Sequence, residues 1–151
     1  MSEKENSDGK RNGKGIEYNY DSKIKFEGEY LNGEKWNGKG YDKNGKIIYE
    51  LNNGTGKVKE YIGNQVVFEG EYLNGKKNGK GKEYYKNGEL LFDGEYLNGK
   101  RSGKGKEYDD GNLIFEGEYL NDERNGKGKE YDEDGNLIFE GEYLNGYRII
   151  N

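Results

Sequence analysis

The chain of 151 residues contains no cysteine, no histidine and no proline. It also has no alanine and a single threonine, Thr55. Without cysteine or histidine there is no disulfide, no thiolate nucleophile, no zinc site of the Cys/His kind and no Ser-His-Asp arrangement, so a metal site would have to be all oxygen. Large aliphatics are scarce as well. Leu, Ile, Val and Phe total 27 residues, about 18% of the chain, a fraction that on its own sits near the disordered class. Charge argues the other way: 25 Lys and Arg against 30 Asp and Glu leave only −5, a near-balanced polyampholyte rather than a self-repelling coil. No apolar run approaches the ~18 residues of a membrane span, and the polar stretch from Met1 to Asp8 has no apolar signal region. A soluble, cytoplasmic protein is expected.

What the chain does have is a repeat. The string Phe-Glu-Gly-Glu-Tyr-Leu-Asn runs from Phe26, Phe68, Phe115 and Phe139, and from Phe92 with Asp93 in place of Glu; a weaker copy starts at Tyr49. Successive starts lie 23, 19, 24, 23 and 24 residues apart, so the period is 23 to 24 with one shortened unit. A second string, Asn-Gly-Lys-Gly-Lys-Glu-Tyr, follows from Asn78 and Asn125, and from Ser102 with Ser replacing Asn; a variant starts at Asn12. The copies between residues 34 and 64 depart furthest, with an extra Trp36 and with Val58 where a glycine is usual. A local irregularity is expected there.

Inside the unit the period is two, because Leu113, Phe115, Gly117 and Tyr119 share one parity while Glu116, Glu118 and Leu120 take the other. The strands are separated by Asn-Gly and Asp-Gly pairs such as Asn32-Gly33, Asn87-Gly88 and Asp134-Gly135, which tolerate the positive φ of tight hairpins. An all-β antiparallel hairpin array of about six units follows, with helix disfavoured by 27 glycines. Stacking the units aligns aromatic columns: Phe26, Phe68, Phe92, Phe115 and Phe139, with Tyr49 filling the gap; Tyr30, Tyr72, Tyr96, Tyr119 and Tyr143; and Tyr18, Tyr61, Tyr84, Tyr108 and Tyr131. Glycines recur between them at Gly70, Gly79, Gly81, Gly94, Gly103, Gly105, Gly117, Gly126, Gly128 and Gly141, leaving room for a ring to lie on the backbone. Tyr suits such a thin sheet if its ring is buried and its hydroxyl stays wet.

The pattern from Phe68 to Gly81 resembles the MORN repeat (membrane occupation and recognition nexus), and the resemblance extends over residues 8–147, departing mainly at 34–64. It implies an elongated, all-β array of one hairpin per repeat, preceded by a flexible segment over residues 1–7 and followed by a cap or contact segment over 148–151. It also implies a scaffold or docking protein, not an enzyme and without cofactor, that organises cytoskeletal, junctional or membrane-apposed assemblies. The Lys-Glu-Tyr spacer resembles the MORN expansions of protists and of large amoeba-infecting DNA viruses, which admits a viral-particle component. The alternatives are a peripheral membrane adaptor for anionic phospholipids and an antitoxin or inhibitor.

Individual candidates weigh as follows. The turns Lys76-Lys77 to Lys82 and Lys100-Arg101 to Lys106 suggest a basic stripe for phosphoinositides or nucleic acid, but Glu69, Glu71, Asp93 and Glu95 share the face and the pI is about 5.1, so nucleic acid is not expected. The acidic turns Asp109-Asp110 and Asp132-Glu133-Asp134 lack the spacing of a calcium loop, and turn chemistry accounts for them. Lys100 to Gly105 looks like a phosphate loop but lacks the Ser or Thr after Gly-Lys. Paired carboxylates such as Glu27 and Glu29 recur in every unit, whereas a catalytic pair occurs once. Trp36 is either a binding hot spot or a plug for the irregularity. At the C-terminal edge, Tyr143, Leu144, Tyr147, Ile149 and Ile150 are expected to contact another chain, by self-association or hetero-assembly, because no repeat covers them.

Overall fold

The computed structural model describes residues 4–5 and 9–150. The flexible segment expected over residues 1–7 lies outside that set except for Lys4–Glu5, and Asn151 lies outside it too. Every regular element among the described residues is a strand: β1 (Lys4–Glu5), β2 (Arg11–Tyr18), β3 (Ile24–Leu31), β4 (Glu34–Tyr41), β5 (Ile47–Leu51), β6 (Gly56–Ile62), β7 (Gln65–Leu73), β8 (Lys76–Tyr84), β9 (Leu90–Leu97), β10 (Lys100–Asp109), β11 (Asn112–Leu120), β12 (Glu123–Tyr131), β13 (Leu137–Leu144) and β14 (Tyr147–Arg148). The chain divides into two compact units, residues 1–76 and 77–151. In the first, β1 to β5 form a sheet in sequence order and β6 pairs antiparallel with β7. In the second, β8 to β14 form an antiparallel meander, also in sequence order.

Two kinds of connection alternate. Asn32-Gly33, Asn74-Gly75, Asn98-Gly99, Asp110-Gly111 and Asn145-Gly146 are two-residue turns with positive φ at both positions, the backbone whose twist matches that of the flanking strands. Most of these tips are tied back to the repeat before. The N–H of Gly99 donates to the Arg101-equivalent carbonyl of Lys77 at 2.8 Å, that of Asp122 to Arg101 at 2.9 Å and that of Gly146 to Arg124 at 2.9 Å. Asp122 holds φ +72 where the other tips use glycine, and its carboxylate compensates by accepting the Arg101 N–H at 2.7 Å. The pairs Asn87-Gly88 and Asp134-Gly135 sit instead in five-residue loops, Tyr85 to Glu89 and Asp132 to Asn136, closed by their end residues at 2.9 Å.

Each full repeat also carries a β-bulge that the alternation did not reveal. Glu107 faces Phe115 and Tyr108 faces Leu113, so Ile114 is left over; Glu130, Tyr131, Phe139 and Leu137 repeat the pattern around Ile138. Lys25, Val67 and Leu91 are the corresponding extra residues. A bulge bends and twists its strand, and here it recurs at one position per unit.

The core is a single aromatic layer. Phe26, Phe68, Phe92 and Phe115 are at most 1% exposed, and Tyr30, Tyr96, Tyr119 and Tyr143 at most 6%. Rings meet edge to face both within a unit and between units: Phe115 lies 5.7 Å from Tyr119 and 5.2 Å from Tyr143. The glycines make this possible. A Cβ on Gly117 would sit 2.7 Å from the Phe115 ring and 2.5 Å from the Lys127 carbonyl; one on Gly128 would sit 2.6 Å from Phe115 and 2.9 Å from Tyr143. Gly103 and Gly126 serve a different purpose from the ring space expected of them. They hold φ near +100 beside the carboxylates of Glu95 and Glu118.

Within residues 34–64 the sheet is interrupted. β5 and β6 belong to different sheets, with the isolated Asn52–Thr55 bridge between them. Val58, in a glycine position opposite Gly70, is 4% exposed and joins Phe26, Tyr30, Tyr49 and Leu51 in a local cluster. Tyr49 takes the place of a Phe, stacked on Phe26 at 6.3 Å. Trp36 is half-buried, with its ring against Gly54 of the following tip, and its carbonyl accepts the Gly54 N–H at 2.7 Å.

Candidate functional site

The two faces of the sheet do different work. On the aromatic face the column that includes Tyr72, Tyr96, Tyr119 and Tyr143 does not keep its hydroxyls wet. Those of Tyr72, Tyr96, Tyr119 and Tyr143 donate to the carboxylates of Glu60, Glu83, Glu107 and Glu130, twelve or thirteen residues earlier. In the second unit an arginine of the next strand closes the set. Arg101 donates to Glu83 from Nε at 3.1 Å and Nη2 at 2.9 Å, while its guanidinium lies 4.0 Å from the Phe92 ring. Arg124 repeats this on Glu107 and Phe115, and Arg148 on Glu130 and Phe139. Planar guanidinium suits both jobs, a forked grip on carboxylate and stacking on a ring. Burial pushes the Glu83 and Glu107 carboxyls up, but the arginine and tyrosine hydrogen bonds outweigh it and hold both below the ordinary value. At Glu130 the Arg148 hydrogen bond dominates and the carboxyl falls to about 2.

Arg101 is therefore part of the packing rather than of a basic stripe. Sequence reasoning counted it with the surface lysines because nothing in Lys100-Arg101 distinguishes the two side chains; the clue was that an arginine occupies this one position in three successive units, at Arg101, Arg124 and Arg148.

The opposite face is the candidate site. Gly81, Gly94, Gly105, Gly117, Gly128 and Gly141 are register partners in turn, so a strip of bare backbone crosses the second unit. The residues on either side of each glycine point away from the aromatic layer. One rail runs Lys82, Asp93, Lys106, Glu116, Lys129, Glu140, each opposite the next. The other pairs Lys80 with Glu95, Lys104 with Glu118 and Lys127 with Glu142. Between the rails lies an open trough of about 730 Å³, bordered by four lysines and five carboxylates. Leu97, Leu120 and Leu144 share the strand parity of Glu95, Glu118 and Glu142, and they are 55%, 51% and 54% exposed. Of the third aromatic column, Tyr131 is on this side, donating to Glu116 at 2.7 Å. Glu116 is accordingly not a plain water-facing carboxylate. The first unit carries the same lattice, with Glu27 opposite Lys39 and Glu29 opposite Lys14.

The remaining candidates resolve as follows. Asp132 Oδ1 accepts the N–H groups of Asp134 and Asn136 at 3.0 and 2.8 Å, and Asp42 does the same for Asn44 and Lys46, so both carboxylates close their own turns. No group of three or more metal-ligating side chains occurs among the described residues. Lys100 to Gly105 lies within β10. At the C-terminal edge Tyr147 and Ile150 are each 78% exposed, and the Ile149 N–H donates to Glu142 at 2.8 Å. Tyr143 is not available for a contact there: it is 2% exposed, wedged between Phe115 and Phe139. No helix among the described residues is long and apolar enough to cross a membrane.

Compared with known families, the chain matches the model described as MORN repeat at residues 7–22, 68–89, 92–113 and 115–137, together more than half its length. The largest unmatched stretch, 23–67, contains the parting of β5 from β6. No curated protein matches the chain.

Proposed function

From the premise that the chain belongs to the MORN-repeat family, a family of protein and membrane interaction, we propose that it is a non-enzymatic cytoplasmic scaffold that docks protein partners within a larger assembly. The observation that carries this reading is the pairing on the outer face, where every lysine of the second unit's rails stands opposite an aspartate or glutamate. A membrane adaptor needs a surface of one sign, worth about 1 kcal/mol per Lys or Arg near an anionic leaflet. Alternating rails cancel that field within a Debye length of roughly 8 Å. The same alternation offers a protein surface many ion pairs in a defined register, and the exposed Leu97, Leu120 and Leu144 of the same strands add apolar contact.

Cross-linking in native extract, with lysine-reactive reagent and mass spectrometry, tests the proposal. The expected product joins Lys104, Lys106, Lys127 or Lys129 to one recurrent protein partner, and the native species elutes well above 17.3 kDa. A protein that elutes as a monomer and cross-links only to itself contradicts it.

A further inference from the structure

The parting of β5 from β6 forms a crevice in the first unit, about 270 Å³ in volume. Its walls carry Lys25, Lys35 and Lys59, the carboxylates of Glu17 and Glu60, and the rings of Tyr41, Tyr49 and Tyr61. Three ammonium groups against two carboxylates leave one positive charge, in a space that suits roughly ten non-hydrogen atoms at interior packing density. Aromatic walls favour a ligand with an apolar body over a bare inorganic anion.

A second observation points to an occupant. By the repeat spacing, the glutamate that should accept the Tyr30 hydroxyl is Glu17, as Glu83 accepts that of Tyr96 and Glu107 that of Tyr119. Glu17 is instead held by Lys35 at 2.8 Å and Lys25 at 3.7 Å, both on the crevice wall. The Tyr30 hydroxyl is left buried without a partner, in a residue only 6% exposed. An unsatisfied buried hydroxyl carries a standing desolvation cost, which a well-packed repeat has no reason to keep.

We propose that the crevice binds a small organic carboxylate, whose oxygens take over Lys25 and Lys35 and release the Glu17 carboxylate to accept the Tyr30 hydroxyl. Lys35 passes from a protein carboxylate to the ligand's, so its charge stays paired. The Tyr30 hydroxyl gains the partner its counterparts already have. The apolar body of the ligand lies against Tyr41 and Tyr61, and Lys59 adds the surplus charge. This site is independent of the docking face and stands or falls separately from it.

The test uses the full-length, isotopically labelled chain titrated with phenylacetate, with phenylacetamide as the uncharged isostere, followed by NMR and calorimetry. Phenylacetate should saturate, with shifts centred on Tyr41, Lys59 and Tyr61, and phenylacetamide should bind at least about tenfold more weakly. Lys59→Gln, at an exposed position, should weaken phenylacetate about threefold or more. Tyr30→Phe should raise the melting temperature of the free protein and weaken phenylacetate about threefold or more, because the hydroxyl is satisfied only in the bound state. Absence of saturation, equal binding of acid and amide, or a Tyr30→Phe protein that melts lower or binds unchanged would overturn the proposal.

Discussion

Replacing Arg124 by Met removes a charge while keeping most of the side chain's volume, and it should cost about 2 to 4 kcal/mol. The guanidinium donates twice to Glu107, at 3.0 and 2.8 Å, and comes within 3.4 Å of Glu130. Its carbon lies 4.1 Å from the centre of the Phe115 ring. The two side chains of the Glu107 pair are 22% and 20% exposed, so the pair is screened only in part. Charge-assisted hydrogen bonds to such a carboxylate are worth about 1.5–3 kcal/mol, and the ring contact adds about 0.5–1. Arg148 makes the same grip on Glu130 but is 37% exposed, so Arg148→Met should cost clearly less than Arg124→Met. Urea unfolding followed by circular dichroism measures both, while Trp36, the one tryptophan, reports the first unit separately by fluorescence. A double cycle of Arg124→Met with Glu107→Gln should show coupling of about 1–2 kcal/mol. Equal costs at Arg124 and Arg148, or coupling below about 0.5 kcal/mol, would refute the view that these arginines bind one repeat to the next.

Gly117→Ala should cost about 2–4 kcal/mol, because its Cβ meets the Lys127 carbonyl and the Phe115 ring, whereas Gly111→Ala, at φ +78 in open space, should cost only about 1; thermal melts compare them. Asp122→Ala should cost about 1–2 kcal/mol, whereas Asp122→Gly should stay within about 1 of wild type, since it loses the bond to the Arg101 N–H but relieves the positive φ. Acid should weaken the protein through its depressed carboxyls. Glu130 binds fewer protons folded than unfolded, so its contribution is complete above its ordinary value of 4.5 and is lost as pH falls toward about 2. Glu130→Gln should flatten the fall of the urea midpoint across that window, and an unchanged slope would show that the carboxyl is not held low.

The fold was legible because each signal was local and repeated. Period two, the Asn-Gly pairs and the frequent glycines all follow from adjacent residues, and five copies of one string let chance be discounted. The departure of the copies between 34 and 64 was visible for the same reason, since Val58 stands where a glycine is usual, but the string did not show that β5 and β6 lie in different sheets. The outer face was half visible: the sequence put Glu69, Glu71, Asp93 and Glu95 on the face of the lysines, and the register sets Glu116 beside Lys129. What the string could not show was depth. Whether Arg101 lies in water or on Phe92 depends on the register of neighbouring strands, and the fate of the tyrosine hydroxyls on glutamates twelve or thirteen residues earlier. The bulge at Ile114 was hidden as well, because one extra residue in a strand leaves the hydrophobic string looking continuous.

The claim that the outer face is a balanced lattice for protein partners, rather than a basic surface for lipid, is tested most directly by co-sedimentation with vesicles. Full-length protein would be mixed with neutral vesicles and with vesicles rich in phosphatidylserine and phosphoinositide, at low salt, where electrostatic attraction is least screened. The account predicts that the protein stays in the supernatant in both cases. Pelleting that requires the anionic lipid and is reversed by salt would contradict it.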